Sequence, residues 1–144
     1  MELIIKNITK KYDDKIILDN VNEHIQDRSA IAIIGPSGAG KSTLLRLLSL
    51  IEKPDEGSIC VNNNHLDEVN EDEYFKKIGF VFQAHTLFPH LSVLRNITLI
   101  LEKVHNIDKV ESKRRAMELL KKFELGDHVH KTASQLSGGQ SQRV

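Results

Sequence analysis

The sequence predicts an α/β fold in three successive parts: a small antiparallel β subdomain, a strand, glycine loop and helix, and an α-helical subdomain. Three observations predict it. The octet Gly35-Pro-Ser-Gly-Ala-Gly-Lys41-Ser42 fits G-x-x-x-x-G-K-[ST] and stands between the apolar run Ile31-Ala-Ile-Ile34 and the helical pattern Leu44, Leu45, Leu47, Leu48, Ile51. Before it lie short runs rich in Leu, Ile and Val, and from Ala84 onward helical spacing replaces them. An apolar strand feeding such a loop, with a helix behind it, is the context in which this motif holds phosphate.

Residues 2–8, 16–18 and 21–25 read as short strands around the polar turn Tyr12-Asp-Asp-Lys15, and together predict a small antiparallel sheet. Ile31–Ile34 is a continuous apolar run of the kind buried on both faces of a parallel sheet. The helix after the loop is expected to reach about Ile51. Pro54-Asp-Glu-Gly57 marks a turn, Ser58–Asn62 a strand, and Asn62-Asn-Asn64 a second turn, because Asn tolerates left-handed angles. Asn70 and Glu73 suit the start of a short helix through Lys77, and Ile78-Gly-Phe-Val-Phe82 is a second buried-strand candidate, ending in Gln83. Ser92 is expected to cap a helix carrying Leu94, Ile97 and Leu101. Asp108 with Glu111 opens another carrying Ala116, Leu119, Leu120 and Phe123, ended by Gly126. One domain is expected over 1–144, with the antiparallel sheet and phosphate-loop part in 1–83 and the helical subdomain in 84–144.

With 40% hydrophobic and 28% charged residues over 144 positions, the chain has the composition of a folded domain, not of a disordered one. Its formal net charge is zero, which speaks against a nucleic-acid partner held by bulk electrostatics. The longest apolar stretches, Leu44–Ile51 and Ile97–Leu101, fall well short of the roughly 20 residues a membrane span needs. The start, Met-Glu-Leu-Ile-Ile-Lys, lacks the form of a signal peptide, so a cytosolic location is expected. Cys60 is the single cysteine, which excludes an internal disulfide and reads as a small apolar residue on a strand.

The chemistry of the loop follows from its residue types. Backbone N–H groups can point inward as an anion cradle, and the helix dipole behind them adds partial positive charge. Gly35, Gly38 and Gly40 are expected to take angles or close contacts that a Cβ forbids. Lys41 would reach the β- and γ-phosphates and Ser42 would place its hydroxyl on Mg²⁺. The nucleotide-binding candidates are therefore Gly35, Pro36, Ser37, Gly38, Ala39, Gly40, Lys41, Ser42 and Thr43.

Near the end stands Leu136-Ser-Gly-Gly-Gln140, about a hundred residues after the loop, with Gln83 between. Taken together, these three ordered motifs resemble those of the ATP-binding-cassette (ABC) transporter ATPases, whose signature is this five-residue string. The resemblance implies a P-loop NTPase fold of the ABC ATPase type, with ATP and Mg²⁺ as cofactors. In that family two ATPase subunits sandwich two nucleotides head to tail. The resemblance implies that Ser137, Gly138, Gly139 and Gln140 face the γ-phosphate held by the partner's loop. By the resemblance, Gln83 would couple Mg²⁺ and the attacking water to the helical subdomain and the membrane partner, making Lys41 and Gln83 the catalytic candidates and Ser42 and Gln83 the metal candidates. Tyr12 lies where the family places an aromatic that stacks on adenine, which a planar ring can do; a plain turn residue is the alternative.

The run Val81-Phe-Gln-Ala-His-Thr-Leu-Phe-Pro-His90, with Val93, Leu94 and Asn96, is similar to that of the polar amino-acid uptake branch. An importer subunit would sit on the cytoplasmic face of the membrane against permease subunits, with no nucleic acid bound. His85 and His90 read as ordinary loop histidines, and Lys113-Arg-Arg115 as a solvated helix face.

The resemblance spans the chain and stops just after the signature. In the family, the aspartate for Mg²⁺, the water-polarising glutamate and the switch histidine follow the signature, whereas His128 and His130 precede it. Little ATP hydrolysis is therefore expected from these residues alone. Strands that would pair with Ile31–Ile34 and Ile78–Phe82 would also come later. Arg28 occupies a turn where the family commonly has glycine, and Glu23 falls between Val21 and Ile25 on an expected inward face. Three readings stay open: the N-terminal part of an importer ATPase, a truncated non-catalytic module or decaying gene product pairing with a complete ATPase, and a soluble ABC ATPase acting on nucleic acid or the ribosome.

Overall fold

A computed structural model describes residues 1–83 and 86–144. Two compact units divide the chain, Met1–Phe80 and Val81–Val144.

In the first unit, β1 (Leu3–Tyr12), β2 (Lys15–Ile25), β3 (Glu56–Val61) and β4 (Asn64–His65) form one antiparallel sheet in the order β2-β1-β3-β4. The two runs expected at 16–18 and 21–25 are one bulged strand. Asn7 and Asn20 adopt left-handed angles (φ 51° and 47°) where the β1–β2 register slips, and an extra residue in a ladder takes up the slip. Side chains satisfy the displaced backbone: Asn22 Oδ1 accepts from the Asn7 N–H at 2.9 Å and Thr9 Oγ1 from the Asn20 N–H at 3.2 Å. Asn62 and Asn63 (φ 48° and 64°) make the β3–β4 turn, two consecutive positive angles being what a tight hairpin requires.

Helix α1 (Lys41–Leu48) lays Leu47 on the sheet, and Leu50 follows it into a core with Leu3, Ile5, Ile8, Leu18, Ile59 and Leu66. The helix stops short of Ile51 because Leu50 turns left-handed (φ 56°) and the Leu50 and Ile51 N–H groups close back on Leu47 O and Arg46 O. A short helix α2 (Glu71–Phe75) is capped by Asn70, whose side chain accepts from the Glu73 N–H. Tyr74 donates to Leu48 O at 2.7 Å, fixing α2 to α1.

The expected strand at 31–34 does not form. The four strands pair only with one another, so this run has no ladder to join, and Ile34 is 92% exposed. It lines an apolar groove with Ile5, Val21, Ile25, Leu44 and Leu48. Residues 78–82 likewise adopt no regular secondary structure. The left-handed position of the turn after β2 is Asp27 (φ 54°), not Arg28, and Glu23 lines the same groove as Val21 and Ile25 while staying exposed to solvent.

In the second unit, α3 (Val93–Lys103) and α4 (Lys109–Lys122) pack together around Val93, Leu120, Leu125 and Val129. Ser92 and Asp108 cap them as the sequence predicts. The Val93 and Leu94 N–H groups donate to Lys131 O (2.8 Å) and Val129 O (3.0 Å), so the first turn of α3 is tied to the chain that leads to the signature. Gly126 does not end α4. Glu124 takes the left-handed position (φ 59°), and the Leu125 N–H reaches back to Leu120 O at 2.7 Å. A last helix, α5 (Gly138–Arg143), begins at the signature.

Candidate functional site

Residues 35–40 are a loop delivered onto the start of α1, and all of them but Gly40 are exposed. Gly40 is the helix N-cap, left-handed at φ 80° with no side-chain cap, so no side chain covers the first N–H groups of α1. Uncapped donors at a helix start, with the dipole behind them, favour an anion. The Ala39 N–H closes a turn on Pro36 O at 3.3 Å. The Lys41 ammonium folds back across the loop and donates to Gly35 O at 2.9 Å and Pro36 O at 2.6 Å. It thus stands at the loop's mouth as a charged donor that a phosphate oxygen can draw off these two carbonyls.

The three glycines differ. A Cβ on Gly40 would meet Leu18 Cδ2 at 2.7 Å and Ile17 O at 3.0 Å, so the loop presses against β2 there. Gly38 has open space but a left-handed angle (φ 81°). Gly35 has neither: its nearest neighbour for a Cβ is Ala39 Cβ at 3.5 Å, ordinary contact, so the expectation for Gly35 is corrected. Ser42 is exposed at the helix start and Thr43 is buried behind it. Pro36 and Ser37 lie on the exposed rim.

Tyr12 closes the β1–β2 hairpin and is 40% exposed. Its hydroxyl donates to the Glu52 carboxylate, which also receives Arg46 of α1 at 3.1 Å. The Lys10 ammonium lies 5.7 Å from the ring centroid. Glu52 and Arg46 were not legible as partners of Tyr12, since nothing in their spacing links residue 12 to the far end of a helix.

The remaining candidates lie in the second unit. Gln83 is exposed on a bend. Ser137 caps α5 in a reciprocal box: its Oγ accepts from the Gln140 N–H at 3.3 Å, and Gln140 Oε1 accepts from the Ser137 N–H at 2.9 Å. Ser137, Gly138 and Gly139 are exposed, whereas Gln140 is half-buried and spends both ends of its carboxamide internally. Asn96, noted in the sequence only as part of a resemblance, is buried. It accepts from the Phe88 N–H at 2.7 Å and donates to Phe88 O, Leu91 O and Ser92 O, holding the loop before α3. Phe88 and His90 meet edge to face at 6.3 Å on that loop, and both are exposed. His85 lies outside the described residues.

On α4, Glu111 accepts from both Arg114 and Arg115, and Arg114 also bonds Glu118. The two guanidiniums hold the Glu111 carboxyl down to about 2. The basic run is thus a solvated, carboxylate-paired face, as expected. Among the described residues no three His, Cys, Asp or Glu side chains group to hold a metal, and no helix is long and apolar enough to cross a membrane.

A protein of Chlorella vulgaris named as a probable sulfate/thiosulfate import ATP-binding protein is 43% identical over the whole of this chain, which covers 60% of it. An uncharacterized amino-acid ABC transporter ATP-binding protein of Escherichia coli (strain K12) is 38% identical over 99% of the chain and 57% of the relative. The chain therefore spans about three-fifths of these relatives. Among solved structures, a dimeric ATP-binding cassette in a post-hydrolysis state bound to ADP and Pi superposes with a TM-score of 0.83 at 38% identity, covering 98% of this chain and 66% of that one. Residues 18–144 match the ABC transporter family, and so the chain, with its P-loop ABC ATPase fold, belongs to that family.

Proposed function

We propose that this chain carries the ATP-binding part of an ABC importer ATPase. The observation that carries the reading is the uncapped start of α1 behind a loop in which Gly38 and Gly40 are left-handed, with Lys41 folded across its mouth. In this reading the loop N–H groups and Lys41 would hold the β- and γ-phosphates, and the exposed Ser42 hydroxyl would help to hold Mg²⁺, which would neutralise phosphate charge there. Gln83, exposed on its bend, is the further metal candidate of this reading. Tyr12 offers its ring to adenine.

A second ATPase subunit would bring its nucleotide to the exposed Ser137, Gly138 and Gly139. A dimer is the form named for the solved relative. The loop carrying exposed Phe88 and His90 would face a permease subunit at the cytoplasmic side of the membrane. The finer reading is uptake of polar amino acids, supported by the Leu87-Phe-Pro-His90 run. One matched relative is named for amino-acid transport and another for sulfate or thiosulfate import.

Titration of the chain with a fluorescent ATP analogue and Mg²⁺ tests the reading. Saturable binding that Lys41→Ala weakens by about 2 kcal/mol or more supports it, because a charge-assisted contact is lost. Equal affinity in the variant would mean that the loop does not hold the phosphates.

A further inference from the structure

One buried polar atom stands out among the described side chains: His128 Nδ1 has no hydrogen-bond partner. The other ring nitrogen, Nε2, lies 2.9 Å from Gln140 Nε2. Gln140 Oε1 is already committed to the Ser137 N–H at 2.9 Å. The carboxamide therefore turns its NH₂ toward His128, and a carboxamide NH₂ only donates. His128 Nε2 must accept. In the neutral ring the proton then sits on Nδ1, the atom that finds no acceptor.

The other arrangements are worse. A proton on Nε2 would set N–H against NH₂. Flipping the carboxamide would satisfy that ring but point the NH₂ at the Ser137 N–H and open the capping box that starts α5. The Ser137 backbone thus selects the amide orientation, and the amide selects the tautomer.

We propose that His128 is a positioning residue for the signature: as the Nδ1–H tautomer it accepts from Gln140 and so holds the Ser137–Gln140 box in register. His128 lies in the short 3₁₀ turn Gly126–His128, twelve residues before Gln140. The ring thereby anchors the start of α5 to the segment that follows α4. Its consequence for a partner's nucleotide rests on the importer reading; the geometry does not.

The test is the ¹⁵N–¹H correlation pattern of the His128 ring in the labelled full chain at neutral pH, which distinguishes the tautomers directly. A protonated Nδ1 with a bare Nε2 is expected. In Gln140→Glu the carboxylate can only accept, so the ring should reverse to the Nε2–H form. In His128→Phe, exchange of the Ser137 amide proton should quicken roughly fivefold, the loss of about one hydrogen bond. His128→Gln, which restores an acceptor, should reverse most of that change. An Nε2–H ring in the native chain, or a tautomer indifferent to Gln140→Glu, overturns the proposal. These readouts need no nucleotide, so they stand or fall separately from the Lys41 titration.

Discussion

A Cβ placed on Gly40 would stand 2.7 Å from Leu18 Cδ2, so the phosphate loop and β2 meet at the one loop residue that is both left-handed and enclosed. Leu18 is itself buried in the sheet core. The position of the loop is therefore set by the antiparallel sheet as well as by its own motif.

The three glycines should separate in a denaturation series. Gly40→Ala combines a left-handed angle with an overpacked contact and should cost roughly 2–4 kcal/mol. Gly38→Ala has the angle alone and should cost roughly 1–2 kcal/mol. Gly35→Ala should stay within about 0.5 kcal/mol. Urea midpoints of the full chain measure all three, and equal costs would contradict the packing described.

Tyr12 has two separable features, a ring and a hydroxyl bound to Glu52. If the ring stacks on adenine, Tyr12→Ala should weaken nucleotide binding by about 0.5–1.5 kcal/mol, while Tyr12→Phe should remain close to the native affinity. A Phe variant as weak as the Ala variant would place the effect in the Glu52–Arg46 tether instead.

Asn96 holds the loop that contains Phe88 through four hydrogen bonds to three backbone residues. Asn96→Ala strands those groups and should cost roughly 1–3 kcal/mol. Asn96→Asp keeps the acceptor for the Phe88 N–H but sets an oxygen against three carbonyls, and should be no better. Limited proteolysis after residue 85 should quicken in both; an unchanged cleavage rate would show that the loop is held by something else.

Glu111 makes acid stability a local question. Its carboxyl is lowered from 4.5 to about 2 by hydrogen bonds from Arg114 and then Arg115. A depressed carboxylate stabilises fully above its unfolded value and loses that contribution as pH falls through the folded one. Melting temperature should therefore fall between about pH 5 and pH 2, and Glu111→Gln should flatten part of that slope. Glu102, lowered by Arg95, contributes in the same direction. An identical slope in Glu111→Gln would mean that the Glu111 pairs do not couple to folding.

The local elements were legible because their signals are local. Asn62-Asn63 announced a turn, Asn70, Ser92 and Asp108 announced helix starts, and Gly35–Ser42 announced a glycine loop leading into a helix, each through the angles or donors of a few adjacent residues. By the same means the chain determined its family. Tertiary structure decided everything that needs a distant partner. The apolar Ile31–Ile34 run became a strand in expectation, yet a ladder requires a neighbouring strand, and β1–β4 satisfy one another without it. Gly35 and Gly40 look alike in the motif, and only the proximity of Leu18 distinguishes them. Glu52 behind Tyr12 and His128 behind Gln140 are separated from their partners by 40 and 12 residues, with no periodicity to relate them. Such pairs are set by how surfaces pack, and a sequence records the residues without recording which surfaces meet.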